Sequence, residues 1–338
     1  MTVQWPRGPW WNSDRDWGFS ALLQDVHASR SHAFAKGTYS NLRTQVRAYF
    51  AFCVYFARTP LPADVITIYA YVQFLSRSLK PPTIKNYLSG VKMLHIFHGL
   101  PDVFSDDYLL ELEMRGISRI NPHVPQRARL ITPKILLVFH QLMDHSDSLH
   151  CSAWACSLFL FFTLSRLGSM LPSSGSTQRH KFLTRDRVNL SVEGLLVTFL
   201  HTKNIQFGKR RLHIPLLRLN SVLCPVRAFS RASSLSSDGA SGPAFTFQKN
   251  GKVCWLTTSL FIRVFRQVLA GGGFEGASSF TGHSFRRGGA TWAFQAGVPG
   301  ELIQICGDWV SDAYKSYLEF SMENKLQLAS LFVHSLPR

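Results

Sequence analysis

The stretch Thr281-Gly-His-Ser-Phe-Arg-Arg-Gly-Gly-Ala-Thr-Trp-Ala-Phe holds the densest set of side chains able to act on an anion. His283 and Arg286 stand three residues apart at the start of an expected helix, so they share one face and can reach the same oxyanion. The helix N-terminus would turn its unpaired N–H groups towards that point. A capping histidine followed by surface arginines is the plainer reading of the same residues. Near the C-terminus, Gly307-Asp-Trp-Val-Ser-Asp-Ala-Tyr-Lys-Ser-Tyr-Leu offers Tyr314 and Tyr317, three apart on a segment that Ser311 can cap. A phenol is a nucleophile once its proton is removed and is also an ordinary core aromatic, so each tyrosine fits both descriptions.

The elements that must position these residues follow from apolar periodicity. From Thr38, Leu42, Val46, Phe50, Cys53 and Phe56 recur at helical steps, and Pro60 and Pro62 end the run. A second helix carries Val65, Ile68, Tyr71, Phe74 and Leu75. Pro81-Pro82 breaks the chain, Thr83 caps a third helix through Ile84, Tyr87, Leu88, Val91 and Leu94, and a fourth spans roughly 105–117. Four short amphipathic helices with short connectors make a small bundle. Asn121 to Arg129 is basic, contains proline and has almost no apolar content, which suits a linker. Thr132-Pro133 then opens a helix with Ile135, Leu136, Phe139 and Leu142. The apolar run from Cys151 to Leu164 follows as a buried helix, since it is too short to cross a bilayer. Val188–Leu190, Leu195–Leu200 and Arg211–Leu216 read as strands, the last two joined by a turn at Gly208. Further helices are expected at 223–233, 257–269, 284–296, 299–305, 311–317 and 322–333, with a flexible loop in the second half of 230–242. The first 35 residues, with Trp5, Trp10, Trp11 and Trp17 among Pro and Gly, read as an extension holding at most one short helix over Phe19–Ser29.

Composition narrows the partner. In 338 residues, 46% are apolar and 17% charged, which is a globular balance. Lys plus Arg number 37 against 20 Asp plus Glu, a net +17 that suits a polyanion far better than a small neutral substrate. No basic amphipathic helix supports a membrane surface instead. The six cysteines form no C-x-x-C and have no histidine pair at zinc spacing, so they are expected as buried thiols in a reducing compartment, with no metal. The N-terminus lacks the continuous apolar core that export requires.

Taken together, H-x-x-R, Gly-x-Trp and a following tyrosine resemble the C-terminal box of tyrosine recombinases and phage integrases. HSFRRGGATWAF with GDWVSDAYKSYL is most similar to recombinases of eukaryotic mobile elements. Upstream, Leu164-Ser-Arg-Leu-Gly-Ser-Met resembles the first arginine box and singles out Arg166. Leu200-His-Thr-Lys-Asn-Ile-Gln-Phe-Gly resembles the hairpin lysine segment and puts Lys203 on a turn between strands. Each box is weak alone; four in order over roughly residues 38–335 are strong. The resemblance implies a mainly α chain with a small antiparallel β-sheet in its C-terminal domain. It divides the chain into an extension (1–36, partly disordered), a four-helix SAM-like core-binding bundle (37–120), a linker (121–130) and the integrase catalytic domain (131–338). It implies a site made of Arg166, Lys203, His283, Arg286, Trp309 and Tyr317, with Tyr317 as nucleophile and no cofactor or metal. The implied partner is double-stranded DNA, bound as a homotetramer, with no membrane association. The implied location is intracellular and DNA-associated, the nucleus in a eukaryote.

The chemistry is coherent with that resemblance. Two guanidiniums can hold the non-bridging oxygens of a phosphodiester and offset the charge of its transition state. A tyrosine, with a pKa near 10, needs cations or a base to attack at neutral pH, which the arginines and His283 can provide. A lysine on a hairpin is a reasonable general acid for the 5′-oxygen. The sequence departs from the family at two points. Ser169 stands where many members have an acidic residue, and Asp308 directly follows the Gly of the last box, where many have His or Trp. Trp309 is preferred for that role because a carboxylate beside a phosphate would be repelled. Tyr314 is the reserve nucleophile. A type IB topoisomerase-like nicking enzyme, distinguished by whether Leu326, Leu328, Leu331 and Phe332 dock into a neighbouring subunit, and a catalytically inactive domesticated DNA-binding protein are the competing functions.

Overall fold

The computed structural model describes residues 19–319 except 103, 105–106, 124–127, 176–177, 179–180 and 206–209, together with Met322, Lys325, Leu326 and Ser330. Trp5, Trp10, Trp11, Trp17, Gly208, most of the basic linker tip and most of the helix expected at 322–333 lie outside the described residues. The chain divides into two compact units, Met1–Pro125 and Gln126–Arg338.

The first unit holds α1 (Phe19–Ser31), α2 (Lys36–Tyr55), α3 (Val65–Ser76), α4 (Pro81–Phe97) and α5 (Tyr108–Ile120). Its core gathers Tyr49, Phe52 and Cys53 of α2, Ile68, Tyr71, Val72 and Leu75 of α3, Ile84, Leu88, Val91 and Leu94 of α4, and Leu110, Met114 and Ile117 of α5. Three assignments from the sequence pattern are corrected here. In α2 the buried face runs through Tyr49 and Phe52, while Phe50 and Phe56 are exposed. Aromatic residues fill this helix on all sides, so periodicity alone could not choose the face. The helix α4 starts at Pro81 with Lys80 as its N-cap residue, three positions before the expected cap Thr83. Proline is tolerated in the first turn because those N–H groups have no intrahelical partner to lose. The helix α5 is shifted the other way, towards the C-terminus, and is capped by Asp107, whose side chain accepts from the Leu110 N–H. His95, fully buried, ties α4 to the approach to α3: its Nε2 accepts from the Ala63 N–H at 3.0 Å and its Nδ1 lies 2.9 Å from the Val91 carbonyl oxygen.

The second unit is built round α7 (Ser148–Thr163), which is buried along almost its whole length. Asp147 caps it, and α6 (Pro133–Leu142), capped by Thr132, packs beside it. The short α8 (Leu167–Met170) follows. The strands β1 (Val188–Leu190), β2 (Gly194–Phe199) and β3 (Leu212–Leu217) form an antiparallel sheet in sequence order, with Val197 opposite Ile214. Leu212, Ile214 and Leu216 point to the core by strict alternation, and Pro215 is accommodated because β3 is an edge. After α9 (Pro225–Leu235) comes a second, two-stranded sheet, β4 (Thr246–Lys249) and β5 (Lys252–Trp255), where one sheet was expected. Its signal was present: Asn250-Gly251, both at positive φ, forms the tight turn that closes a hairpin. Next come α10 (Thr258–Gly271), α11 (Gly282–Gln295) and α12 (Gly300–Cys306). Residues Asp312–Tyr317, expected as α-helix, form a 3-10 helix that Ser311 caps. The architecture is thus mainly helical with small antiparallel sheets. Four of the six cysteines are buried, Cys254 and Cys306 are half-buried, and none is in a disulfide. Among the described residues no helix is long and apolar enough to cross a membrane, and no group of three His, Cys, Asp or Glu could hold a metal ion.

Candidate active site

The junction after α7 sets the position of Arg166. Leu164 ends the helix in the left-handed region, φ 53°, and the backbone turns to extended at Arg166 before α8 begins. The Thr163 hydroxyl bonds the Phe159 carbonyl at 2.7 Å and lies 2.8 Å from the Ser165 hydroxyl oxygen, which fixes this bend. The helix α11 crosses the end of α7 at backbone contact. A Cβ on Gly289 would stand 2.1 Å from the Phe161 carbonyl oxygen, and one on Gly288 would stand 1.8 Å from that of Ile131. Glycine at both places is what allows the approach. Arg286, one turn earlier, is thereby pressed against the α7 terminus, and its Nη1 donates to the Leu164 carbonyl. It is 1% exposed, yet among the described residues its Nε and Nη2 have no hydrogen-bond partner of ordinary geometry, the Tyr317 phenol standing by as the side chain able to become one. The cap of α11 is a Thr281–Ser284 capping box, so the capping reading of His283 is set aside and its ring is left for other work.

The last segment covers that guanidinium. The helix α12 ends in a Schellman turn: the Asp308 N–H bonds the Ile305 carbonyl at 3.1 Å and the Trp309 N–H bonds that of Gln304 at 3.0 Å. Asp308 occupies the left-handed position at φ 53°, where glycine or asparagine is more usual. The turn folds the Trp309 indole back over Gly307, where a Cβ would stand 1.6 Å from the ring. The indole then lies on the Arg286 guanidinium, 3.6 Å from carbon to ring centroid. The Tyr317 ring follows at 5.9 Å from Arg286 and 5.5 Å from Trp309, and its carbonyl accepts from the Thr291 hydroxyl of α11 at 2.8 Å. Tyr314 is buried, its hydroxyl lying against Gly300.

Lys203 follows β2 on a tight turn. The Thr202 hydroxyl oxygen accepts from the backbone N–H groups of Asn204 and Ile205, at 3.1 and 2.9 Å. The same hydroxyl donates to the Asp308 carboxylate, the Asn204 side-chain amide donates to the Asp308 carbonyl, and Arg210 before β3 forms an ion pair with that carboxylate. Arg166 stands 3.9 Å from it. Thr202 and Arg210, the Asn204 side chain and the part Asp308 plays with them escaped the sequence reading. The one available clue was an aspartate at a helix-terminating position that favours glycine or asparagine. The expectation that its carboxylate would be repelled from an anion site overlooked its own cations: it is 3% exposed and surrounded by them. Ser169, where an acid was missing, is buried and bonds through its backbone to Arg166 and Leu183. Asp308 supplies the carboxylate near Arg166. Arg287, also unremarked before, ties the Ala128 carbonyl to Glu319 through its two terminal nitrogens.

All six residues singled out in the sequence therefore come into one neighbourhood. The charges reflect this placement. His283 keeps an exposed edge, but desolvation, then the charges of Arg286, Arg166 and Lys203, hold its pKa below the usual imidazole value. Burial and then the Arg166 charge push Arg286 down to about 9, with Tyr317 and Asp308 acting against the fall, so it stays a cation at neutral pH. Such a cluster is unfavourable to hold together without an anion. A groove of about 800 Å³ between α4 and α5 contains none of these groups.

No family model and no curated protein matches the sequence. Solved structures do. The Tn1549 transposon integrase in complex with transposon right end DNA superposes with TM-score 0.59 at 14% identity, over 92% of this chain and 98% of that one. A lambda integrase dimer bound to a COC′ core site gives 0.57 at 13% identity, over 88% and 94%. The XerH site-specific recombinase bound to palindromic difH substrate gives 0.55 at 15% identity, over 80% and 73%. With both compact units and the small sheets of the second in place, the chain has the fold of the tyrosine recombinases and integrases.

Proposed function

We propose that this chain is a site-specific DNA recombinase that cleaves and rejoins strands through a 3′-phosphotyrosine link. The observation that carries the reading is Arg286: a buried guanidinium with two unpartnered donors, covered by Trp309 and flanked by Tyr317, Arg166 and His283. A planar fork of that kind matches two oxygens of a phosphodiester. In this reading Arg166 and Arg286 hold the non-bridging oxygens, and Trp309 packs the fork in place. The Tyr317 phenol gives its proton to the neutral His283 ring and forms the oxygen–phosphorus bond. The bond from phosphorus to the 5′-oxygen breaks, its electron pair stays on that oxygen, and the Lys203 ammonium supplies the proton. The high-energy link is kept in the protein–DNA bond, so a second 5′-hydroxyl can reverse the step on a new partner. The first unit is assigned to gripping DNA and the second to the chemistry, with a homotetramer as the assembled form.

A nicked suicide duplex tests this. The native chain is expected to form a covalent adduct stable to denaturant, and Tyr317→Phe none. Adduct that survives in Tyr317→Phe and disappears in Tyr314→Phe would move the nucleophile one turn back. No adduct on any duplex, with binding intact, would leave an inactive DNA-binding protein. Adduct formation with relaxation of supercoiled DNA but no joining to a second duplex would leave the nicking enzyme.

A further inference from the structure

Among the described residues the Asp308 carboxylate is the acidic group that stands among the cations of the site, and its partners are not spread at random. Thr202 and Asn204 stand immediately before and after Lys203, and both donate to Asp308, one to its carboxylate and one to its carbonyl. Arg210, where the chain returns towards β3, closes on the same carboxylate. Both described ends of the hairpin tip are therefore joined to the turn that leads into Trp309. Thr202 is 5% exposed and Asp308 3%, so the bond between them is screened from water and worth more than a surface pair, while Arg210 closes on the carboxylate from a half-exposed position. Within the turn, Thr202 uses the same hydroxyl to hold the N–H groups of Asn204 and Ile205, so removing the bond to Asp308 also loosens the backbone that presents Lys203.

We infer that Asp308 is a positioning residue that latches the Lys203 turn to the α12 terminus and so sets the general acid against the leaving oxygen. The latch rests on the function proposed above for its consequence, though not for its existence. Its chemistry is confined to one half of the cleavage step. The bond from Tyr317 to phosphorus depends on the arginines and His283. Protonation of the 5′-oxygen as the phosphorus–oxygen bond breaks depends on where Lys203 is held. A leaving sulfur in place of that oxygen departs as a stable thiolate and needs no proton, so it bypasses the latch.

Asp308→Asn is the suitable variant, since asparagine keeps the left-handed backbone while losing the ion pair to Arg210 and weakening the bond from Thr202. Thr202→Val breaks the latch from the other side and leaves Asp308 untouched. Two measurements are needed. Amide hydrogen exchange of the whole chain should accelerate at Asn204 and Ile205 in Asp308→Asn, where the Thr202 hydroxyl that accepts from those N–H groups is still present; unchanged exchange in that variant overturns the latch. Single-turnover adduct formation should fall by roughly 10²-fold in Lys203→Ala and by about tenfold or more in both latch variants on a 5′-oxygen duplex. It should return to within about threefold of the native rate on a 5′-bridging phosphorothiolate duplex. A latch-variant loss that persists on the sulfur duplex overturns the inference, because Asp308 would then act through the arginines and the phosphate. Accelerated exchange with no adduct from the native chain on either duplex would sink the recombinase reading and leave the latch standing.

Discussion

A guanidinium buried with two donors unpaired is a costly object unless something negative takes them. Arg286 is in that state, and the cost is consistent with a residue kept for an anion that arrives from outside. Arg286→Lys is expected to abolish the covalent adduct while changing duplex affinity by less than about threefold, since affinity is spread over many phosphates. Equal collapse of binding would make it a docking residue. His283 gives the pH test. Its folded pKa lies below the ordinary value of 6.5, first from desolvation and then from Arg286, Arg166 and Lys203. The folded state thus prefers the neutral ring, and protonation at low pH costs stability instead of adding it. An NMR titration of the free protein should place the midpoint below 6.5, and a bound duplex should raise it by adding negative charge. A free-protein midpoint at or above that value would mean that the ring is not buried beside the three cations as the structure has it. At this scale the arginines, lysine, histidine and tyrosine were legible because chemistry limits which residue types can serve a phosphate. Asp308 and Arg210 were not, because an aspartate and an arginine 98 positions apart carry no mark of being partners.

Elements turn those residues into a site. The crossing of α7 and α11 is the central one, because it brings Arg166 and Arg286 from segments far apart in the chain to one place. Gly289 stands at the crossing, and Gly289→Ala would force a Cβ into the Phe161 carbonyl. The expected loss is about 1–3 kcal/mol of stability, read from the urea midpoint, together with loss of the adduct as the helices separate. A variant of native stability would show that the helices are not in backbone contact. The Schellman turn at the end of α12 is the second device. It places Trp309, and not Asp308, over Arg286, which accounts for a tryptophan one residue later than the family pattern. Helix positions were legible because caps and prolines are local. Which aromatic of α2 faces inward, and that 312–317 winds as a 3-10 helix, depended on neighbours supplied by the rest of the fold.

For the whole molecule the governing quantity is charge. A net +17 over 338 residues predicts that duplex binding weakens steeply with salt. With six or more phosphates neutralised, affinity should fall by roughly 10³-fold or more between about 50 and 200 mM salt. A flat response in a filter-binding or anisotropy titration would remove the basic surface as the DNA footprint.

By itself the sequence determined the helical character of both halves, the sheet of β1–β3, the basic balance and the six residue types fit for phosphate chemistry. All of these depend on local spacing or on composition, which a linear chain displays openly. Only the tertiary structure decided that the six converge and that Arg286 keeps two donors vacant. It also decided that a buried aspartate ties the lysine turn to the tryptophan turn. Those facts depend on helix crossings and on hydrogen bonds between residues up to 122 positions apart, where proximity is created by packing and leaves no periodicity to read.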